Sequence, residues 1–177
     1  MRNQPHLRPA TEQDAEVLTA HALRSKAYWG YDKAFMEACI DELTITPARI
    51  EAEDMTVAEV NGVIAGMVVL APGEENGTLE LEDMFVDTPF IGTGLGAILM
   101  EHAKTRATSC DVNRINVYED PHAQVFYEKS GSRRASKPTA APTPALPVPR
   151  LALEVAGGHA PLSAFSPRHI AAMAAGA

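Results

Sequence analysis

Gly92, Gly94 and Gly96 lie within the run Val86-Asp87-Thr88-Pro89-Phe90-Ile91-Gly92-Thr93-Gly94-Leu95-Gly96-Ala97-Ile98-Leu99, where residue type and spacing speak most directly of chemistry. An apolar strand passes through a glycine loop into a helix. Glycines leave backbone N–H groups open to an anion, and the helix that follows brings the positive end of its dipole to the same spot. The segment therefore reads as a pyrophosphate cradle, for a dinucleotide or for a coenzyme A. Gly92-x-Gly94-x-x-Ala97 also fits the dinucleotide fingerprint, and Glu119 falls about where a ribose-binding acid would be expected.

Two further groups could take part in chemistry. Alternation along a strand puts Glu80 and Glu82 on the same side as Met84 and Val86, with Asp83 on the other. Such acids either form a solvated face or serve as proton acceptors. Tyr28, Trp29 and Tyr31 cluster between two expected helices, either as plugs at the edge of the core or as the wall of a substrate pocket. Cys39 and Cys110 form no CxxC and have no histidine at ligand spacing, so the reading is core thiols, a reducing compartment and no metal site.

The elements that must position these residues follow from periodicity. A short strand is expected around Leu7, then a helix opened by Thr11-Glu12-Gln13-Asp14 and carried by Ala15, Leu18, Ala22 and Leu23. A second helix is expected from Asp32 through Leu43, and Thr46-Pro47 opens a further short one. From Met55 the period becomes that of strands. Asn61-Gly62 supplies a type I′ hairpin turn between Thr56–Val60 and Val63–Leu70, and a third strand over residues 78–86 leads into the glycine loop. After the loop come a helix ending before Asp111, a strand over residues 114–118, and a short helix with Phe126 and Tyr127 closed by Gly131. The dinucleotide motif expects a βαβ unit near the start of its domain, whereas this loop follows helices and a meander.

Residues 136–149 are dense in Pro, Ala and Thr and read as an extended connection; residues 150–155 alternate as a last strand. Residues 156–177 read as a low-complexity mobile tail, with a weak helix over residues 170–175, which leaves a domain over residues 1–155. The chain's 177 residues, 46% of them hydrophobic, suffice for one soluble globular domain. A net charge of −8, with Arg133-Arg134 as the one dense basic group, argues against nucleic acid or an anionic membrane as a broad-surface partner. No apolar signal region opens the sequence and no run approaches roughly 18 uncharged apolar residues, so a cytoplasmic protein is expected.

This order of elements, with two segments, resembles the GCN5-related N-acetyltransferase (GNAT) family. Leu79-Glu80-Leu81-Glu82-Asp83-Met84-Phe85-Val86 followed by Ile91-Gly92-Thr93-Gly94-Leu95-Gly96 is similar to the family's fourth strand and its Gln/Arg-x-x-Gly-x-Gly/Ala loop. Asp120-Pro121-His122-Ala123-Gln124-Val125-Phe126-Tyr127-Glu128-Lys129-Ser130-Gly131 is similar to its Asn-x-x-Ala-x-x-x-Tyr-x-x-x-Gly segment. Three positions depart from the pattern. Ile91 stands for Gln or Arg, Asp120 for Asn, and Ser132 for an aromatic residue that packs under the last strands.

The resemblance implies an α/β (α+β) fold, with a central mixed, mostly antiparallel sheet splayed at strands 4 and 5 and flanked by helices. It implies transfer of an acetyl group from acetyl-CoA to a primary amine of a small molecule or peptide. In that scheme the backbone of Met84, Phe85 and Val86 pairs with the pantetheine arm. Ile91, Gly92, Thr93, Gly94, Leu95, Gly96 and Ala97 hold the pyrophosphate, and Asp120 and Phe126 also lie at the cofactor. Tyr127 is the expected acid, Glu82 the expected base with Glu80 behind it through water, and Tyr28, Trp29 and Tyr31 the acceptor wall. His21 and Arg24 of the first helix fall near the same region, but a lone helical His is more often a surface group, and neither is taken as a site residue. Family members often dimerise through their terminal strands, so a homodimer is among the expected partners. The competing readings are a non-catalytic acyl-CoA-binding module, suggested by Ile91 and Asp120, and an NAD(P)-binding protein.

Overall fold

Seven strands form one mixed sheet in the order β1-β2-β3-β4-β5-β7-β6 in the computed structural model, which describes residues 4–73, 75–118, 121–134 and 150–155. The strands are β1 (His6–Pro9), β2 (Asp54–Val60), β3 (Val63–Pro72), β4 (Thr78–Val86), β5 (Arg114–Tyr118), β6 (Arg133–Arg134) and β7 (Arg150–Glu154). The helices are α1 (Ala15–Ala27), α2 (Lys33–Ala38), α3 (Ile40–Leu43), α4 (Pro47–Ala52), α5 (Leu95–Ser109) and α6 (Gln124–Lys129). No helix among the described residues is long and apolar enough to cross a membrane. The expectations for residues 119–120, 136–149 and 156–177 lie outside the described residues.

The chain divides into two compact units. One holds the described residues through Val69 together with Asp83–Leu99; the other holds Leu70–Glu82 and the described residues from Met100 onward.

In the first unit, β1 pairs antiparallel with β2 from His6–Glu59 to Pro9–Thr56. The entry to α1 is a 3-10 turn at Glu12–Asp14, in which the Asp14 carboxylate accepts from both the N–H (2.7 Å) and the hydroxyl (2.9 Å) of Thr11. Arg8 of β1 also binds Asp14, and this ion-paired hydrogen bond holds the Asp14 carboxyl down at about 2. Asn61 and Gly62 carry positive φ (55° and 77°) between β2 and β3, the geometry a type I′ turn demands. The expected helix over residues 32–43 is two helices separated at Cys39. The Cys39 N–H is shared between the carbonyls of Phe35 and Met36, so the turn tightens there. Leu18 and Ala22 of α1, Leu43 of α3, Ile50 of α4, Val57 of β2 and Met67 of β3 form the core of this unit.

In the second unit, β4 and β5 run parallel from Thr78–Arg114 to Leu81–Val117, with α5 in the crossover between them. Residues 83–86 lie beyond the end of that ladder, which is where the expected splay falls. The antiparallel β7 continues the sheet beside β5, and β6 pairs with β7 through Arg133–Ala152 and Arg134–Leu151. Periodicity offers no sign of β6. Two residues hold no repeat, and Arg133-Arg134 reads as a charge pair rather than as a strand. Cys39 and Cys110 are buried free thiols.

Candidate active site

At the end of β4, Asp87 makes the corner between strand and loop. Its N–H donates to Ala65 of β3 (2.8 Å) and its carbonyl accepts from Phe90 (2.8 Å), closing a 3-10 turn over Thr88–Phe90. Its carboxylate accepts from the Thr88 N–H (3.0 Å), as an N-cap does. Gly92 and Gly94 follow with φ of 79° and 92°, conformations that cost any other residue strain, and a Cβ placed at either would meet nothing within 4 Å. Helix α5 then starts at Leu95. Among the described residues no backbone carbonyl accepts from the N–H groups of Gly92, Gly94, Leu95, Gly96 or Ala97. These are the orphan donors of a loop and a first helical turn, and the helix dipole adds to them.

The start of α5 is held close to β3 by a missing side chain. A Cβ on Gly66 would lie 2.8 Å from the Phe85 carbonyl oxygen and 3.2–3.3 Å from side-chain atoms of Leu99 and Leu95. Gly66 therefore sets how near to β3 the cradle's helix and the Phe85 backbone can come; Met84, Phe85 and Val86 of β4 are all half-buried.

The same unit holds two ion-pair clusters, one on β4 and one at the corner just after it. Arg24 of α1 grips Asp87 with both arms, Nε to Oδ1 and Nη2 to Oδ2 at 3.0 Å each, while Nε2 of the buried His21 lies 3.3 Å from Oδ2. Burial pushes the His21 imidazole below its usual value and Arg24 adds to this, against the pull of Asp87. The Asp87 carboxyl lies below its usual range; burial opposes the shift, and Arg24, His21 and the Thr88 N–H together outweigh it. Further along, Arg49 of α4 joins Asp83 to Glu53. Desolvation lowers the Arg49 value, yet Asp83 and Glu53 together raise it. Asp83 thus points to the helices, as alternation requires. Arg24 and Arg49 reach Asp87 and Asp83 across 63 and 34 positions. Neither pairing leaves a trace in the sequence, although Asp87 ahead of Thr88-Pro89 has the pattern of a cap residue.

The expected acceptor aromatics stand at the end of α1 and the start of α2. Tyr28 and Trp29 are exposed, 54% and 41%, and meet edge to face at 5.2 Å; Tyr31 stacks on Phe35 at 4.3 Å, with Lys26 Nζ 5.2 Å from the Tyr31 ring. Tyr28 and Trp29 are surface groups, whereas Tyr31 is half-buried against Phe35, which itself packs on the core.

The second unit holds the proton-transfer candidates. Glu80 is buried and accepts from the buried Asn116 of β5 (2.9 Å), whereas Glu82 is exposed. Tyr127 lies buried on α6, edge to face with the half-buried Phe126 at 5.2 Å. Its carbonyl accepts from Ser130 and Ser132 (3.0 Å each), and Gly131 turns the chain at φ 99°. Ser132 is itself buried, with no hydrogen-bond partner for its hydroxyl among the described residues. Asp120 lies outside the described residues.

Residues 11–141 match the family model described as acetyltransferase (GNAT) domain. No curated protein sequence matches the chain. Among solved structures, it is similar to the PaiA N-acetyltransferase of Thermoplasma acidophilum in complex with coenzyme A. That match has a TM-score of 0.72 and 14% identity, over 85% of this chain and 98% of that one. It is similar to a GCN5-related N-acetyltransferase (aminotransferase, class-II) from Rhodopseudomonas palustris, with a TM-score of 0.72 and 20% identity over 88% and 98% of the two chains. It is also similar to the ribosomal-protein-S18-alanine N-acetyltransferase of Escherichia coli, with a TM-score of 0.61 and 18% identity over 88% and 97%. At such identities the likeness is one of fold.

Proposed function

The chain belongs to the acetyltransferase (GNAT) domain family, and from that premise we propose that it moves an acetyl group from acetyl-CoA directly to a primary amine of a small molecule or peptide. The observation that carries this reading is the row of N–H groups at Gly92, Gly94, Leu95, Gly96 and Ala97 to which no backbone carbonyl among the described residues is bonded, running from the end of β4 to the start of α5. Glycine positions with open space where a Cβ would stand, several neighbouring donors and a fifteen-residue helix behind them suit a diphosphate. The PaiA relative binds coenzyme A, which supports the same ligand here.

In this reading the backbone of residues 91–97 holds the pyrophosphate. Ile91 adds no polar side-chain contact, so the grip comes from the main chain. The backbone of Met84, Phe85 and Val86, beyond the last β4–β5 pair, serves as the strand edge for the pantetheine arm. Asp120 and Phe126 are assigned to the cofactor as well. Bound acetyl-CoA supplies the acyl group as an activated thioester.

Tyr127 gives its phenolic proton to the departing sulfur, a role open to a tyrosine because a phenol's reference pKa is about 10. For an alkylamine of pKa about 10.4, only about one molecule in 2,500 is neutral at pH 7, a penalty of about 4.6 kcal/mol. Glu82 offsets part of that by taking the amine proton, with Glu80 behind it through water. Tyr28, Trp29 and Tyr31 line the acceptor. The protein is assigned to the cytoplasm, and a homodimer through the terminal strands fits the family pattern.

Thermal unfolding with acetyl-CoA, coenzyme A and NAD(P), followed by thiol release from acetyl-CoA over a panel of polyamines, amino acids and peptides, tests the proposal. Stabilisation by acetyl-CoA and amine-dependent thiol release are expected. Stabilisation by NAD(P) alone would overturn the cradle's assignment, and coenzyme A binding with no acceptor turned over would reduce the protein to a binding module.

A further inference from the structure

Asp83 and Asp87 stand four residues apart, so extended backbone puts both on one face, with Phe85 between them packed against the core of the first unit. Each carboxylate is held by an arginine from a different helix. Arg49 of α4 takes Asp83, and Arg24 of α1 takes Asp87 in a two-armed grip, with His21 against the same oxygen. Asp87 is saturated: Arg24, His21 and the Thr88 N–H surround its carboxylate, and its own backbone ties β3 to the turn before Gly92. Residues 83–86 lie past the last β4–β5 pair, so this stretch of β4 keeps β3 as a neighbour on one edge and has no β5 ladder on the other.

We propose that Arg24 and Arg49 are positioning residues, two clamps that fix this stretch of β4 and the glycine loop in the arrangement a diphosphate ligand requires before any ligand arrives. The inference rests on the reading of residues 91–97 as the coenzyme A cradle. The arginines touch no ligand. They fix the direction of the strand and the corner at Asp87, so the orphan donors converge without an ordering cost on binding. The fork geometry matters as much as the charge, because two parallel hydrogen bonds set an orientation that a point charge leaves free.

The test uses the full chain with Arg24→Ala, Arg24→Lys and, should Arg24→Ala not fold, Asp87→Asn, which retains cap geometry and loses the charge. Three quantities are read: the unliganded melting temperature, amide hydrogen exchange over residues 88–97 well below melting, and the Kd for coenzyme A. If loss of the clamp leaves the loop competent in about one molecule in ten, the Kd rises about tenfold and KM for acetyl-CoA rises with it at unchanged kcat. Exchange over residues 88–97 accelerates while that of β2 does not. Arg24→Lys recovers the melting temperature and not the affinity. A lowered melting temperature with unchanged Kd and unchanged loop exchange would overturn the clamp. If the parent protein binds no coenzyme A, the reading of the cradle fails, and loop exchange alone still decides the clamp.

Discussion

Tyr127 is buried to 6% exposure and packs edge to face on Phe126, so its ring has a structural use whatever its hydroxyl does. Replacement by Phe keeps that packing and removes the donor, which separates the two uses. Tyr127→Phe is expected to lower kcat by about a hundredfold or more, with little change in the melting temperature or in KM for acetyl-CoA. Unchanged turnover would return Tyr127 to a packing role. His21 gives a stability prediction instead. Burial holds its folded pKa below the unfolded 6.5, so the unfolded chain binds the extra proton. His21 therefore contributes a stability that is complete above about pH 6.5 and declines as pH falls below it. Urea unfolding from pH 7.5 to 5 should show this slope, reduced in His21→Gln. Tyr127 stands out in the sequence because a spaced motif surrounds it. His21 and Arg24 were legible only as members of a helix, since nothing local tells a helical His that a carboxylate 66 positions later will face it.

At the scale of elements, the legible features were those in which the backbone itself limits the choice. Asn61-Gly62 demanded a tight turn, Thr46-Pro47 a helix start and Gly131 a helix end, and each stands where its conformational preference puts it. Elements decided by hydrogen bonds to distant partners were not legible. β6 exists because β7 offers it a ladder, and the break at Cys39 comes from a shared carbonyl pair rather than from a breaker residue. Gly66 belongs to the same class. In sequence it is a glycine inside a strand, which weakens the strand pattern. In the fold it admits the first turn of α5. Gly66→Ala should cost about 1–3 kcal/mol in urea unfolding, because the new Cβ meets a backbone oxygen that cannot rotate away. It should also weaken coenzyme A binding by displacing the donors of residues 95–97. Full stability in that variant would show that α5 can shift without strain.

For the molecule as a whole, a charge of −8 makes a field that attracts cations and repels the anionic cofactor, so the orphan donors near Gly92 and Gly94 must work against the background. For a polyamine acceptor, kcat/KM is expected to fall severalfold between about 20 and 200 mM salt, while KM for acetyl-CoA does not rise. Salt-independent kinetics for such an acceptor would show that the long-range field takes no part in its capture. Composition and order of elements, read from the chain alone, determined an α/β protein with a glycine cradle between a strand and a long helix. Periodicity and positive-φ glycines are local properties, fixed by neighbours a few residues away. Tertiary structure alone decided that Asp83 and Asp87 are held from two helices, that Glu80 is buried against Asn116 while Glu82 is exposed, and that the β4–β5 ladder stops at Leu81. Those facts depend on which surfaces pack together, and charges many positions apart in sequence leave no pattern until packing brings them within reach.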